Sequence, residues 1–229
     1  MKCDLCPRKC LVDRKKGEKG ICGQTENLKV ARAALHFWEE PCISGDAGSG
    51  AVFFSGCPLH CVFCQNENIA NGTVGKEISL ERLVDIFLEL QEKRANNINL
   101  VTPGHFVPQI VKALDQARKE GLTLPVVYNT SSYETVDTIK MLEGYVDIYL
   151  PDFKYMSPVL SKNYSHAPDY AEVAKAAIAE MVRQTGKAVF VNGEEDNLIL
   201  SGTIVRHLTL PGCMADSMQI LKYLHETYG

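Results

Sequence analysis

The chain has 229 residues, 45% of them hydrophobic and 23% charged, with 24 basic and 28 acidic side chains for a formal charge of -4. That is enough apolar material for one sizeable core, and it excludes a disordered chain. The acidic balance without a basic run argues against nucleic-acid binding, and no apolar stretch reaches the ~18 residues of a membrane helix, so a cytoplasmic protein with no nucleic-acid or membrane partner is expected.

In chain order, residues 1–50 read as a small cysteine-rich extension, with glycine and lysine at 15–20 and no periodicity long enough for a core helix. Trp38, in HFWEE, is expected to pack this extension onto the remainder. Residues 51–229 alternate short apolar runs with helical patterns, which predicts an α/β fold with a parallel sheet. AVFFS (51–55), INLV (98–101), LPVVYN (124–129), VDIYL (146–150) and TIVRHLTLP (203–211) read as buried strands. A helix behind a Ser79 N-cap carries Leu80, Leu83, Val84 and Phe87 on one face. Further helices are expected near 107–120, 134–143, 168–185 and 215–227, several closed by glycine (Gly121, Gly144, Gly186). The run 187–202 reads as a hairpin preceding the fifth strand. Polar residues just past the strand ends would gather on the C-terminal rim, where parallel α/β folds build their sites.

The nine cysteines form two groups, Cys3, Cys6, Cys10 and Cys22, and Cys57, Cys61 and Cys64, with Cys42 and Cys213 alone. A reducing compartment would keep them as thiols, so metal or redox chemistry is their expected use. In SGCPLHCVFCQN the spacing C-x3-C-x2-C lets thiolates of one loop reach adjacent corners of an iron–sulfur cluster. Three ligands rather than four would leave one iron open. The competing reading is a zinc site completed by His60. The first group, C-x2-C-x3-C-x11-C, suits a closed structural zinc site or an auxiliary iron–sulfur cluster, two centres that share the same sulfur ligation.

The C-x3-C-x2-C loop, with Phe63 just before its last cysteine, resembles that of the radical S-adenosylmethionine (radical SAM) enzymes. WEEPCISG (38–45), GSGAVFFSGCPLHCVFCQN (48–66), TPGHFVPQI (102–110), YLPDFKY (149–155) and IVRHLTLPG (204–212) are similar to the subgroup related to pyruvate formate-lyase activating enzyme, and CDLCPRKC is similar to its N-terminal extension. The resemblance implies a partial (β/α) barrel of five to six units, a 4Fe-4S cluster held by Cys57, Cys61 and Cys64, and reductive cleavage of SAM to a 5'-deoxyadenosyl radical. It further implies that Phe63 contacts adenine and that Asp152 and Lys154 lie near the cofactor's carboxylate, with Asp152 available to a monovalent cation. Asn129 and Thr130 would serve the ribose or that cation, although a turn in which Asn129 bonds its own backbone reads nearly as well. Of the neighbours Arg206 and His207, which point to opposite faces of a strand, Arg206 is the one expected to look into the site.

Two departures qualify this pattern. Where many members carry Gly-Gly-Glu to receive the cofactor's amino group, this chain has Thr102-Pro103-Gly104-His105. Carbonyls around Thr102 and Gly104 remain available as acceptors, and His105 reads either as a proton relay or as solvent-facing. In addition, a sixth βα unit is not legible, which would leave the fifth strand as an edge. The function expected is hydrogen abstraction, in the extreme case from a glycine of a glycyl radical enzyme, with reduced flavodoxin or ferredoxin as electron donor. Modification of a peptide or small molecule is the alternative, and a non-catalytic iron–sulfur carrier or scaffold is the alternative of another class.

Overall fold

The computed structural model describes residues 2–193 and 197–229. Its elements in chain order are β1 (Lys29–His36), α1 (Pro41–Ser44), β2 (Ser49–Phe54), α2 (Glu67–Ala70), β3 (Lys76–Glu77), α3 (Leu80–Glu92), β4 (Ile98–Val101), α4 (Val107–Lys119), β5 (Val126–Thr130) and α5 (Val136–Lys140). These are followed by β6 (Ile148–Pro151), α6 (Pro158–Ser165), α7 (Tyr170–Thr185), β7 (Val189–Phe190), β8 (Ile199–Thr203) and α8 (Met214–Tyr228). The strands form one mixed sheet in the order β3-β1-β2-β4-β5-β6-β8-β7. From β2 to β8 the five central strands are parallel, and β1, β3 and β7 are antiparallel additions at the two edges. The architecture is α/β and consistent with a partial barrel.

Alternation along the strands divides the interior into two faces. Leu100, Val126, Tyr128 and Tyr149 lie on the helix side with Leu83, Phe87, Ile110 and Leu114 of α3 and α4 in the main core. On the other face, Asn99, Val127 and Ile148 share one row of the sheet, and Asn129 and Leu150 the next. Ile43 of α1 packs with Val127, Ile148, Leu150 and Ile199 there, closing that face below the polar row. A third cluster, rich in aromatic rings, lies at the rim: Tyr133, Phe153, Tyr155 and Tyr170 are buried with Leu59, and Cys57, Cys61 and Phe63 pack onto them.

Ser79 caps α3 as expected, its hydroxyl accepting from Arg82 N–H at 3.1 Å. Several expectations are corrected. The fifth parallel strand begins at Ile199 rather than 203, and its backbone bonding to β6 ends at Arg206, whose N–H reaches Pro151 O at 2.8 Å. Beyond it, His207–Pro211 forms no strand, because Arg206 and His207 are both drawn to polar partners off the ladder. The hairpin exists as β7 against β8, with its tip at 194–196 outside the described residues, and its second arm is itself the fifth parallel strand. β7 therefore covers the edge that the sequence left open. At the opposite edge β1, from the stretch read as an appendage, pairs with β2 over Val30–His36. Helix α6, unread in the sequence, starts at Pro158 behind a Ser157 cap. Trp38 packs nothing together; it is 89% exposed.

Candidate active site

The cysteine loop leaves the end of β2 through Ser55 and Gly56. His60 within it takes a left-handed conformation (φ 49°), as do Thr102 after β4 (φ 55°) and Ser132 after β5 (φ 63°). The loops beyond the first three parallel strands thus each hold a non-glycine residue in a costly backbone region. Such strain gathers where a rim must aim its groups, and for β-branched Thr102 it is greatest.

Cys57, Cys61 and Cys64 lie within reach of one another's charge. Burial pushes the Cys57 thiol up to about 11, so metal binding there must displace a proton. Two sulfurs accept hydrogen bonds, Cys57 from Leu59 N–H at 3.4 Å and Cys61 from the Ser165 hydroxyl at 3.1 Å. His60 does not join them. Its Nδ1 lies 3.2 Å from Asn71 Oδ1 and its Nε2 2.8 Å from Ile21 O, so the zinc reading that needed it as fourth ligand has no support. The Phe63 ring meets Tyr155 and Tyr164 edge-on, with centroids 6.3 and 6.4 Å away.

Lys154 and Asp152, two residues apart beyond β6, pair at 2.6 Å. The charges of Cys61 and Cys64 both act on Lys154 or respond to it, which places the ammonium beside the cysteine loop. Burial alone would lower the Lys154 pKa, but the Asp152 carboxylate and its hydrogen bond, together with the charge of Cys61, outweigh it and raise the pKa. Arg206 joins the same group from the other side. Its Nε donates to Asp152 Oδ1 at 3.0 Å, its Nη1 to Glu39 Oε2 at 3.2 Å, and its Nη2 to Asn129 Oδ1 at 2.6 Å, with Glu40 at 3.6 Å. Asn129 in turn donates to Glu39 at 3.3 Å. Arg206 is therefore the hub of a network. His207 points away, between Phe153 O and Ser217.

Glu39, Glu40 and Asn99 were not read from the sequence as site residues. Glu39 lies in a segment with no helical or strand period, and only the WEEP resemblance could have drawn attention to it. Burial raises the Glu39 pKa against the lowering effect of Arg206. Glu40 Oε2 and Ser132 Oγ are buried without a hydrogen-bond partner, and the Asn99 amide lies beside Glu39. Orphaned polar atoms of this kind point to a bound polar group. By contrast, Thr130 is committed: its hydroxyl donates to Glu134 Oε1 at 2.8 Å and accepts from Ser132 N–H at 3.2 Å.

Glu134 is 5% exposed and was also missed. Burial pushes its carboxyl up to about 7. Gly104 fits against it only because it is glycine; an added Cβ would overlap both carboxylate oxygens, 2.5 Å from Oε1. His105 is buried rather than solvent-facing, with Nε2 2.7 Å from Ser55 O, and burial takes its pKa down to about 4, so it is neutral at pH 7.

The four N-terminal cysteines are neighbours, with Cys6 and Cys22 each feeling two others. Burial pushes Cys6 up to about 12. Among the described residues no three His, Cys, Asp or Glu side chains stand close enough to hold a single metal ion. A closed zinc cage is therefore not shown at the N-terminal four. The same holds for Cys57, Cys61 and Cys64 at the rim, which lie near one another's charge without being gathered about one point.

Three free thiols, a half-buried cation and orphaned polar atoms gather at one parallel-stranded α/β rim, a donor set suited to a sulfur-ligated cofactor. The family model described as the radical SAM superfamily matches residues 51–198, and the chain belongs to that superfamily. The family implies a 4Fe-4S cluster and SAM. The chain is also similar to an uncharacterised protein of Methanocaldococcus jannaschii, 28% identical over 215 residues, which covers 91% of this chain and 57% of that protein. It therefore spans little more than half the length of that relative. No helix among the described residues is long and apolar enough to cross a membrane.

Proposed function

We propose that the chain is a radical SAM enzyme related to the activating enzyme of pyruvate formate-lyase, removing a hydrogen atom from a glycine of a partner protein. The observation that carries the reading is the rim: three thiols of one loop, with the Lys154–Asp152 pair beside them. When bound, the cluster and SAM supply the 5'-deoxyadenosyl radical.

In this reading Cys57, Cys61 and Cys64 hold the cluster and Lys154 faces the carboxylate of SAM, a charge-assisted contact in a partly desolvated place. Phe63 flanks the adenine, and carbonyls of the Thr102–Gly104 turn receive the amino group. Asn129 serves the ribose, with Thr130 bracing it from behind, and Arg206 fixes Asp152, Glu39 and Asn129 around the cavity. Cys3, Cys6, Cys10 and Cys22 form a second sulfur-ligated site for zinc or an auxiliary cluster, and reduced flavodoxin or ferredoxin delivers the electron. A polypeptide substrate is favoured over a small molecule by Trp38, which stands 89% exposed directly before Glu39 and offers an aromatic contact outside the cavity.

The test is anaerobic reconstitution with iron and sulfide, reduction with dithionite, and assay of 5'-deoxyadenosine from SAM, with Cys64→Ala as control. Product lost in the variant supports the reading. A fully loaded wild type that forms none refutes it and favours an iron–sulfur carrier. A glycyl radical signal on a co-expressed partner then separates activation from peptide modification.

A further inference from the structure

The rim carries a hydrogen bond to sulfur that the proposed chemistry does not use. Ser165, in the last turn of α6, is fully buried. A serine at such a place commonly bonds a carbonyl one turn back along its own helix. Here its hydroxyl is turned outward and donates to Cys61 Sγ at 3.1 Å, while Tyr155 OH lies 2.7 Å from the same Ser165 oxygen. Tyr155 is itself fully buried and packs at 5.3 Å, edge-on, against Tyr170.

What holds Ser165 in place comes from the other end of the chain. Arg8 lies between Cys6 and Cys10, and its guanidinium donates to Ser165 O at 2.9 Å, to His166 O at 2.5 Å and to Pro58 O at 2.8 Å. It also lies over the Tyr133 ring at 5.1 Å. One side chain thus ties the turn after α6 to the residue following Cys57. The same N-terminal segment touches the loop again where Ile21 O meets His60, and where Gly56 closes against Cys22 so tightly that a Cβ would overlap the Cys22 carbonyl.

We propose that Ser165, held by Tyr155 and by Arg8 of the N-terminal cysteine segment, is a positioning residue that raises the reduction potential of the cluster through its hydrogen bond to Cys61. The inference rests on the ligand assignment above. Reduction adds one electron to the cluster and no proton, so the sulfurs become more negative. A hydroxyl aimed at Cys61 stabilises that reduced state more than the oxidised one, and a buried site without competing water strengthens the difference. Because Arg8 ties Ser165 to Pro58 of the cysteine loop, the N-terminal segment becomes a clamp on the cluster's reducing properties.

The experiment is a redox titration followed by EPR on the reconstituted full chain, comparing wild type with Ser165→Ala, Tyr155→Phe and Arg8→Ala, with iron and sulfide measured on each. Expected for Ser165→Ala is unchanged iron content and a reduced fraction roughly tenfold smaller relative to oxidised at the same solution potential, which is about 59 mV for a one-electron couple. Tyr155→Phe and Arg8→Ala should shift it the same way by less, and they carry the comparison if Ser165→Ala fails to retain iron. A wild-type cluster whose potential is indifferent to all three substitutions overturns this inference alone. A wild type that takes up no cluster overturns the inference together with the functional reading beneath it.

Discussion

Replacing Glu134 by glutamine tests the polar interior below the rim. The Glu134 carboxyl ordinarily ionises near 4.5 and is pushed up to about 7 by burial, which the hydrogen bonds from Thr130 and Tyr128 only partly offset. Because the folded value lies above the unfolded one, the folded protein holds this proton more tightly. Stability carries no penalty from this group below about pH 4.5, declines between there and about pH 7, and bears the full penalty above. At about 1.4 kcal/mol per unit, the gap is about 3 kcal/mol. Glutamine keeps Oε1 as acceptor for Thr130 and Tyr128, at 2.8 and 3.3 Å in the wild type, and has no charge to bury. Urea unfolding of both proteins, equally loaded with iron, should show the variant gaining about 3 kcal/mol on the wild type between about pH 5 and about pH 8.5. Parallel pH dependence in the two proteins would refute the assignment of a neutral, buried Glu134.

Arg206→Ala should lower unfolding free energy by about 3–5 kcal/mol, since it leaves Asp152, Glu39 and Glu40 facing one another without their shared cation. Arg206→Lys should recover only part of this in the same denaturation assay, because an ammonium cannot span four partners in a plane. Gly104→Ala should cost about 1–3 kcal/mol through overlap with Glu134, and combining it with Glu134→Ala should cost less than the sum of the single changes. Lys154→Ala should weaken SAM binding at least tenfold by calorimetry with iron content intact, as expected for loss of a charge-assisted bond of about 1.5–3 kcal/mol. Equal affinity would remove Lys154 from the site.

The parts of the protein legible from sequence were those set by local physics. INLV could be read as a strand to the residue because a four-residue apolar run between turns has one economical use in an α/β chain. Ser79 and the closing glycines marked helix ends through backbone needs that neighbours in sequence satisfy. The C-x3-C-x2-C loop was legible because its thiols are carried on one short segment. Alternation set Arg206 and His207 on opposite sides and the family resemblance chose Arg206 between them, while Asp152 and Lys154 stood out by their place past a strand end.

What escaped depended on partners distant in the chain. TIVRHLTLP has the composition of a strand, yet its neighbour in the sheet runs out at Arg206, and pairing extent is a property of two segments rather than one. Trp38 looked like packing material, and only the course of the chain around it decides that nothing covers it. Glu39 and Glu40 became interior groups because β1 joins the sheet and α1 then dips Ile43 into it, carrying the preceding carboxylates to Arg206, 167 residues away from Glu39. Ser165 and Arg8 are 157 residues apart, and neither stands in any local pattern. The sequence by itself therefore determined the α/β class and the grouping of three cysteines on one rim loop, because periodicity and short spacings are local. The tertiary structure alone decided which charges neutralise one another and which hydroxyl reaches which sulfur, because hydrogen bonds and ion pairs act over a few ångströms and are indifferent to distance along the chain.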